Sequence, residues 1–130
     1  MSTLKTGKVK TTTIADELDT ESTAVTNVIN GSAKAWVNFN GTGAVAIRRS
    51  FNVTSIVDNG TGSTTINFTN SFTDTNYAIV ATSNLGLGNA GRVPVAPFST
   101  LTTSAVGVYS FRTDNLTAAD CAYFSVAIFS

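Results

Sequence analysis

Histidine is absent from the 130 residues, and the chain carries one cysteine, one tryptophan and two prolines. Without imidazole, the Ser-His-Asp and Cys-His nucleophile arrangements and the common zinc sites lose their central residue. A lone cysteine forms no intrachain disulfide, which excludes a stapled secreted mini-domain. Cys121 lies in ADCAYFSVAIF, among apolar and aromatic neighbours with no base to activate it, and reads as a small core side chain. Charge is scarce as well: eight basic residues balance eight acidic ones, and only 12% of positions are charged. No basic block offers an electrostatic footprint for nucleic acid, so none is expected as a partner. No long apolar run follows MSTLKTGKVK, so neither a signal peptide nor membrane insertion is expected, and synthesis is placed in the cytoplasm.

What is abundant is small and polar: 22 Thr, 13 Ser, 12 Asn and 10 Gly. This is the composition of turns and hydroxyl-covered sheet faces. The length suits one domain with a short extension. Residues 1–32 contain no aromatic side chain and few apolar ones, and they read as an N-terminal attachment or oligomerisation arm. Within it, Asp16 to Ile29 has the makings of a short helix, whereas KVKTTTI favours an extended chain. The acidic group Asp16, Glu17, Asp19 and Glu21 lacks the spacing and glycine of a calcium loop, so no metal or cofactor site is expected.

From Ala33 the pattern changes to period-two alternation. AKAWVNF, AVAIR, FNVTSIV, STTINFT, NYAIVAT, AVGVYSFR and CAYFSVAIF read as strands. NGTG at Asn40 to Gly43 and DNGTGS at Asp58 to Ser63 supply hairpin turns. In FNVTSIV the period puts Phe51, Val53, Ser55 and Val57 on one side. Ser83 to Ser104 holds Gly86, Gly88, Gly91 and both prolines, and reads as a long shaped loop. The expectation is an all-β fold: residues 33–130 as an antiparallel β-sandwich or jelly-roll-like module, or a partly closed barrel, behind the arm. The final strand is expected to be fixed inside the fold or at a subunit contact.

The run Ser32 to Ser83 resembles a β-rich domain of tailed-bacteriophage virion structural and tail-fibre-like proteins, especially those of marine and aquatic phages. The residues that carry the resemblance are AWVNFNGTG at Ala35 to Gly43, AIR at Ala46 to Arg48, SFNV at Ser50 to Val53, DNGTG at Asp58 to Gly62, and INF followed by Asn76 and Tyr77. Arg49 departs from the small residue expected after Ile-Arg, and Ser63 to Thr65 lacks the aromatic often found before the INF-like strand. The resemblance implies a virion component, most readily a tail-fibre or tail-appendage subunit, with the capsid surface as the alternative placement. It implies a homo-oligomer, a trimer by analogy with fibres, contacts to other virion proteins through the arm, and attachment to a host glycan or protein. It implies no catalysis.

Three readings of Trp36 stay open at this level: sheet core, subunit contact, or a stacking platform for carbohydrate. Subunit contact is the working choice, with Trp36, Phe39, Phe51, Tyr123, Phe124 and Phe129 as the expected interface. The long loop is either a structural clamp or a receptor-contact surface whose readers are Asn84, Asn89 and Arg92. A glycan hydrolase needs two placed carboxylates. Asp58, Asp74, Asp114 and Asp120 are the available candidates, but turn chemistry explains them more simply, so no catalytic residue is assigned. A capsid decoration or connector protein without receptor contact is the other structural reading.

Overall fold

The computed structural model describes residues 11–15, 22–84, 92–95, 100–112 and 115–130. The chain divides into two compact units, Met1–Ser32 and Ala33–Ser130. In the first, strands β1 (Thr13–Ala15) and β2 (Ser22–Ala24) pair antiparallel with Ile14 opposite Thr23, and helix α1 follows at Val25–Gly31. The helix is shorter than the Asp16 to Ile29 span in the sequence reading. Ser22 and Thr23 favour extended backbone and join the hairpin, while residues 16–21 lie outside the described set. No residue of α1 is buried.

The second unit is all-β and antiparallel. Its strands are β3 (Ala35–Asn40), β4 (Ala46–Phe51), β5 (Val53–Gly60), β6 (Ser63–Phe68), β7 (Ala78–Asn84), β8 (Arg92–Val95), β9 (Ala105–Arg112) and β10 (Tyr123–Phe129). Sheet I has the order β4-β3-β10-β7 and sheet II the order β5-β6-β9-β8. Six of the seven segments expected from alternation form strands as read, and both hairpins are present. Gly43, Gly60 and Gly62 take the positive φ values that the hairpin turns demand.

Two expectations are corrected. FNVTSIV is not one strand: Phe51 ends β4 in sheet I, Val53 begins β5 in sheet II, and Asn52 turns the chain between them at φ 54°. Asparagine is among the few side chains that tolerate this left-handed conformation. Here its amide also bonds the corner, donating from Nδ2 to the Lys34 and Asn70 carbonyls (3.1 and 3.2 Å) and accepting from the Asn70 N–H at 2.8 Å. A register shift between Val53 and Ser55 then resets the alternation, so that Val53 and Ile56 both pack on the core while Val57 is exposed. The second correction concerns Ser83 to Ser104. It is not loop throughout, because β7 runs on to Asn84 and β8 pairs with β9. Pro94 fits there because β8 is an edge strand, where one side of the backbone needs no ladder partner.

One cluster of buried side chains draws on both sheets: Ala35, Val37, Phe39, Phe124, Val126 and Ile128 from sheet I, and Ile66, Phe68, Val106 and Val108 from sheet II. Phe39 and Phe124 are cross-strand partners whose rings stack at 5.0 Å. Phe68 meets Phe72 and Tyr77 edge-on at 4.8 and 6.0 Å, and the Tyr77 hydroxyl donates to the Thr102 carbonyl at 2.9 Å. Burying each large apolar side chain is worth about 1.5–3 kcal/mol relative to leaving it in water. Cys121 is buried in the same cluster. β10 sits between β3 and β7, with Ile128 fully buried, so the final strand is fixed as expected.

Candidate functional site

Alternation places the other half of sheet I's side chains on the face turned away from the core. In β3 the buried Ala35, Val37 and Phe39 alternate with the partly buried Trp36, Asn38 and Asn40. In β10 the buried Phe124, Val126 and Ile128 alternate with Tyr123, Ser125, Ala127 and Phe129. Directly opposed residues of antiparallel strands project to the same side, so the pairing register organises this face into rows. One row is apolar and crosses all four strands: Phe51, Trp36, Ala127, Val80. The next is polar: Arg49, Asn38, Ser125, Thr82.

Phe51 and Val80 are 55% and 56% exposed, so the row is open to solvent on the two outer strands of sheet I. The relief of the face follows from side-chain size. Ala127 and Ser125 on β10 are small, whereas Trp36 and Asn38 on β3 and Val80 and Thr82 on β7 stand higher. The result is a trough of about 260 Å³ with β10 as its floor and the flanking strands as its walls. The walls rise from strands two ladder spacings apart, or about 10 Å. Asn38 donates to the Ser125 hydroxyl at 2.8 Å and more weakly to the Phe124 carbonyl at 3.4 Å, which fixes its amide along the trough.

At the far end of the face, a register shift between Asn38 and Phe39 sets Arg48 out of the regular ladder. Its guanidinium donates to the Phe39 and Ala122 carbonyls at 2.8 and 2.6 Å and lies 4.2 Å from the centre of the Tyr123 ring. The cation thus ties the bulge of β4 to the start of β10.

The six aromatic residues expected at an interface therefore separate. Trp36, Phe51, Tyr123 and Phe129 belong to the outward face of sheet I. Phe39 and Phe124, at 0% and 3% exposure, pack inside the domain and offer no surface to a second subunit. The reason is parity: each lies one position from an outward-facing neighbour on its strand. Of the three expected loop readers, the two that are described stand at strand ends rather than in a loop. Asn84 ends β7 opposite Tyr123, Arg92 begins β8 opposite Arg112, and Asn89 lies outside the described residues.

The carboxylates hold backbone. Asp58 accepts from the Gly60 N–H at 2.9 Å, Asp74 from the Asn76 N–H at 2.7 Å, and Asp120 from the Gly62 N–H at 2.7 Å, whereas Asp114 lies outside the described residues. Among the described residues no three His, Cys, Asp or Glu side chains group as metal ligands. Tyr77 has a phenol pushed above its ordinary pKa of 10.0 by burial, and it belongs to the core. Sequence reading singled out Trp36 but missed Ala127, Ser125, Val80 and Thr82 as its neighbours. Their outward parity was available in NYAIVAT and CAYFSVAIF, but the pairing of β10 between β3 and β7 was not. No family model, curated protein or solved structure matches the chain.

Proposed function

We propose that the chain is a bacteriophage virion structural protein, a tail-fibre or tail-appendage subunit that contributes to host attachment by binding rather than by catalysis. The observation that carries this reading is the apolar row Phe51, Trp36, Ala127, Val80 across the outward face of sheet I, a surface suited to a partner. The resemblance of Ser32 to Ser83 to tail-fibre-like domains supplies the class of particle. In this reading Ala33–Ser130 is an antiparallel β-sandwich, because side chains of both sheets share one core cluster. Met1–Ser32, a separate unit, joins the module to other virion proteins or to its own copies. Resemblance to fibres also favours a homotrimer, in which several weak sites on one particle act together and raise avidity.

Antibody labelling of intact virions viewed by electron microscopy tests the placement. Label on the tail or its appendages is the expected result, and label confined to capsid faces replaces this reading with capsid decoration. Adsorption of the purified protein to susceptible cells, saturable and competed by virions, tests the attachment role. Folded protein that does not adsorb and does not block virion adsorption removes it.

A further inference from the structure

Three Asn-Gly pairs stand in the chain, at Asn30, Asn40 and Asn59, and their sequence alone ranks them alike. Such a pair can cyclise, because glycine has no side chain to shield its nitrogen from the neighbouring amide. The structure separates the three, and we infer that Asn59–Gly60 is a self-modification site. There the folded protein converts Asn59 to aspartate and isoaspartate, with Asp58 as the base.

Asp58, Asn59 and Gly60 are all exposed at the end of β5. The Gly60 N–H donates to Asp58 Oδ1 at 2.9 Å, so the attacking nitrogen already shares its proton with a carboxylate. The Asn59 amide is held by one bond, from Nδ2 to the Thr65 hydroxyl at 2.8 Å. A β-carbon on Gly60 would meet nothing within 4 Å, which leaves the main chain room to rotate as a ring closes. The other pairs are restrained. The Gly41 N–H donates to the carbonyl of buried Cys121 at 2.9 Å, and a β-carbon on Gly41 would come within 3.1 Å of that oxygen. The Asn40 amide is engaged at both ends, donating to the Thr42 carbonyl at 2.7 Å and accepting from the Thr42 hydroxyl at 2.8 Å. Asn30 and Gly31 close α1, and helical side chains lean toward the N-terminus, away from the nitrogen that follows.

In the reaction the Gly60 nitrogen passes its proton to Asp58 and bonds to Asn59 Cγ. The Cγ–Nδ2 bond breaks, and Nδ2 takes up that proton and leaves as ammonia, which gives a cyclic succinimide. Water from solvent adds to either ring carbonyl and opens it to aspartate or isoaspartate. Each product sets a second carboxylate beside Asp58 and deprives Thr65 of its amide donor. Isoaspartate also lengthens the main chain within the β5–β6 hairpin, so the hairpin weakens as the protein ages.

Trypsin releases the three pairs in separate peptides, 11–34, 35–48 and 50–92. Purified full-length protein is aged in warm, mildly alkaline buffer and mapped by mass spectrometry, with fragment ions placing each conversion. Asn59 is expected to convert about tenfold or more faster than Asn40 in the folded protein, and the rates should converge in concentrated urea. Asp58→Ser keeps a hydroxyl acceptor for the Gly60 N–H but no carboxylate, and should slow conversion about threefold or more while the far-ultraviolet spectrum stays that of the parent. Asn59 left intact in folded protein while the urea sample converts overturns the inference, and so does Asn40 converting as fast as Asn59. An Asp58→Ser protein that converts at the parent's rate overturns the role of the carboxylate. These readouts involve neither virions nor cells, so they stand apart from the attachment reading.

Discussion

Gly62 lies so close to Ser110 that a β-carbon on it would come within 2.6 Å of the Ser110 carbonyl oxygen and 2.7 Å of the Ala119 nitrogen. The contact joins the β5–β6 hairpin turn to β9 and to the segment after it. Gly62 accepts from the Ser110 N–H at 2.8 Å and donates to Asp120 at 2.7 Å, and the Ser110 hydroxyl donates to the Ala119 carbonyl. Positive φ and close approach thus both require glycine here.

Gly62→Ala is therefore expected to destabilise the domain by about 3 kcal/mol, combining left-handed strain with a backbone clash. Gly43→Ala provides the comparison, because Gly43 has positive φ with nothing within 4 Å of a β-carbon and should lose only about 1 kcal/mol. Urea denaturation of the three proteins checks the order; equal losses would show that the close approach contributes nothing.

At the sheet-switching corner, Asn52→Ala removes the side-chain bonds to Lys34 and Asn70 and puts a less tolerant residue at φ 54°. A loss of about 2 kcal/mol is expected. Asn52→Gly relieves the backbone but not the bonds and should fall between the parent and the alanine variant. Thermal melts of the pair separate the two contributions.

The separation of the aromatic residues predicts opposite behaviour for two positions only three apart. Phe39→Ala opens a cavity beneath Phe124 and should cost about 3–5 kcal/mol. Trp36→Ala, on the outward face, should cost about 1 kcal/mol or less in the isolated domain. A Trp36 variant as unstable as the Phe39 variant would place the indole in the core.

Tyr77 makes stability fall in alkali. Burial raises its phenol pKa in the folded chain above the ordinary 10.0, so the unfolded state ionises first. The contribution is fully present below pH 10.0 and is lost as pH climbs from there through the higher folded value. Tyr77→Phe should lose about 1 kcal/mol at neutral pH through the missing bond to Thr102, yet show a shallower decline above pH 10.0. Denaturation midpoints of parent and variant across the alkaline range test the sign.

Much of the module is legible in the sequence because most of its strands keep a period of two and its turns use Asn-Gly and Gly-rich chemistry. The failures have local causes. Asn52 carries a left-handed corner that its neighbours Phe51 and Val53 disguise as continuous strand. The bulge after Val53 flips the faces of β5, and no residue type announces it. Pro94 argues against a strand only if the strand is central, and β8 lies at an edge. For the candidate site, Trp36 stands out in the sequence, but core, subunit contact and ligand platform all stay open for it there. Its partners depended on long-range register, since Ala127 and Val80 are brought beside it by strands distant along the chain.

That register has a kinetic consequence. Asn38 and its bonding partner Ser125 are 87 positions apart, whereas β5 and β6 are joined by a tight turn. Sheet II can begin from a local hairpin, but the middle of sheet I forms only after a large loop has closed. Until β10 enters its slot, Val37 and Phe39 on one side and Ile79 and Ala81 on the other lack the strand that separates them. Insertion of β10 is thus the step expected to limit folding, and the interval before it is when the open edge of β3 is most prone to pair with another chain.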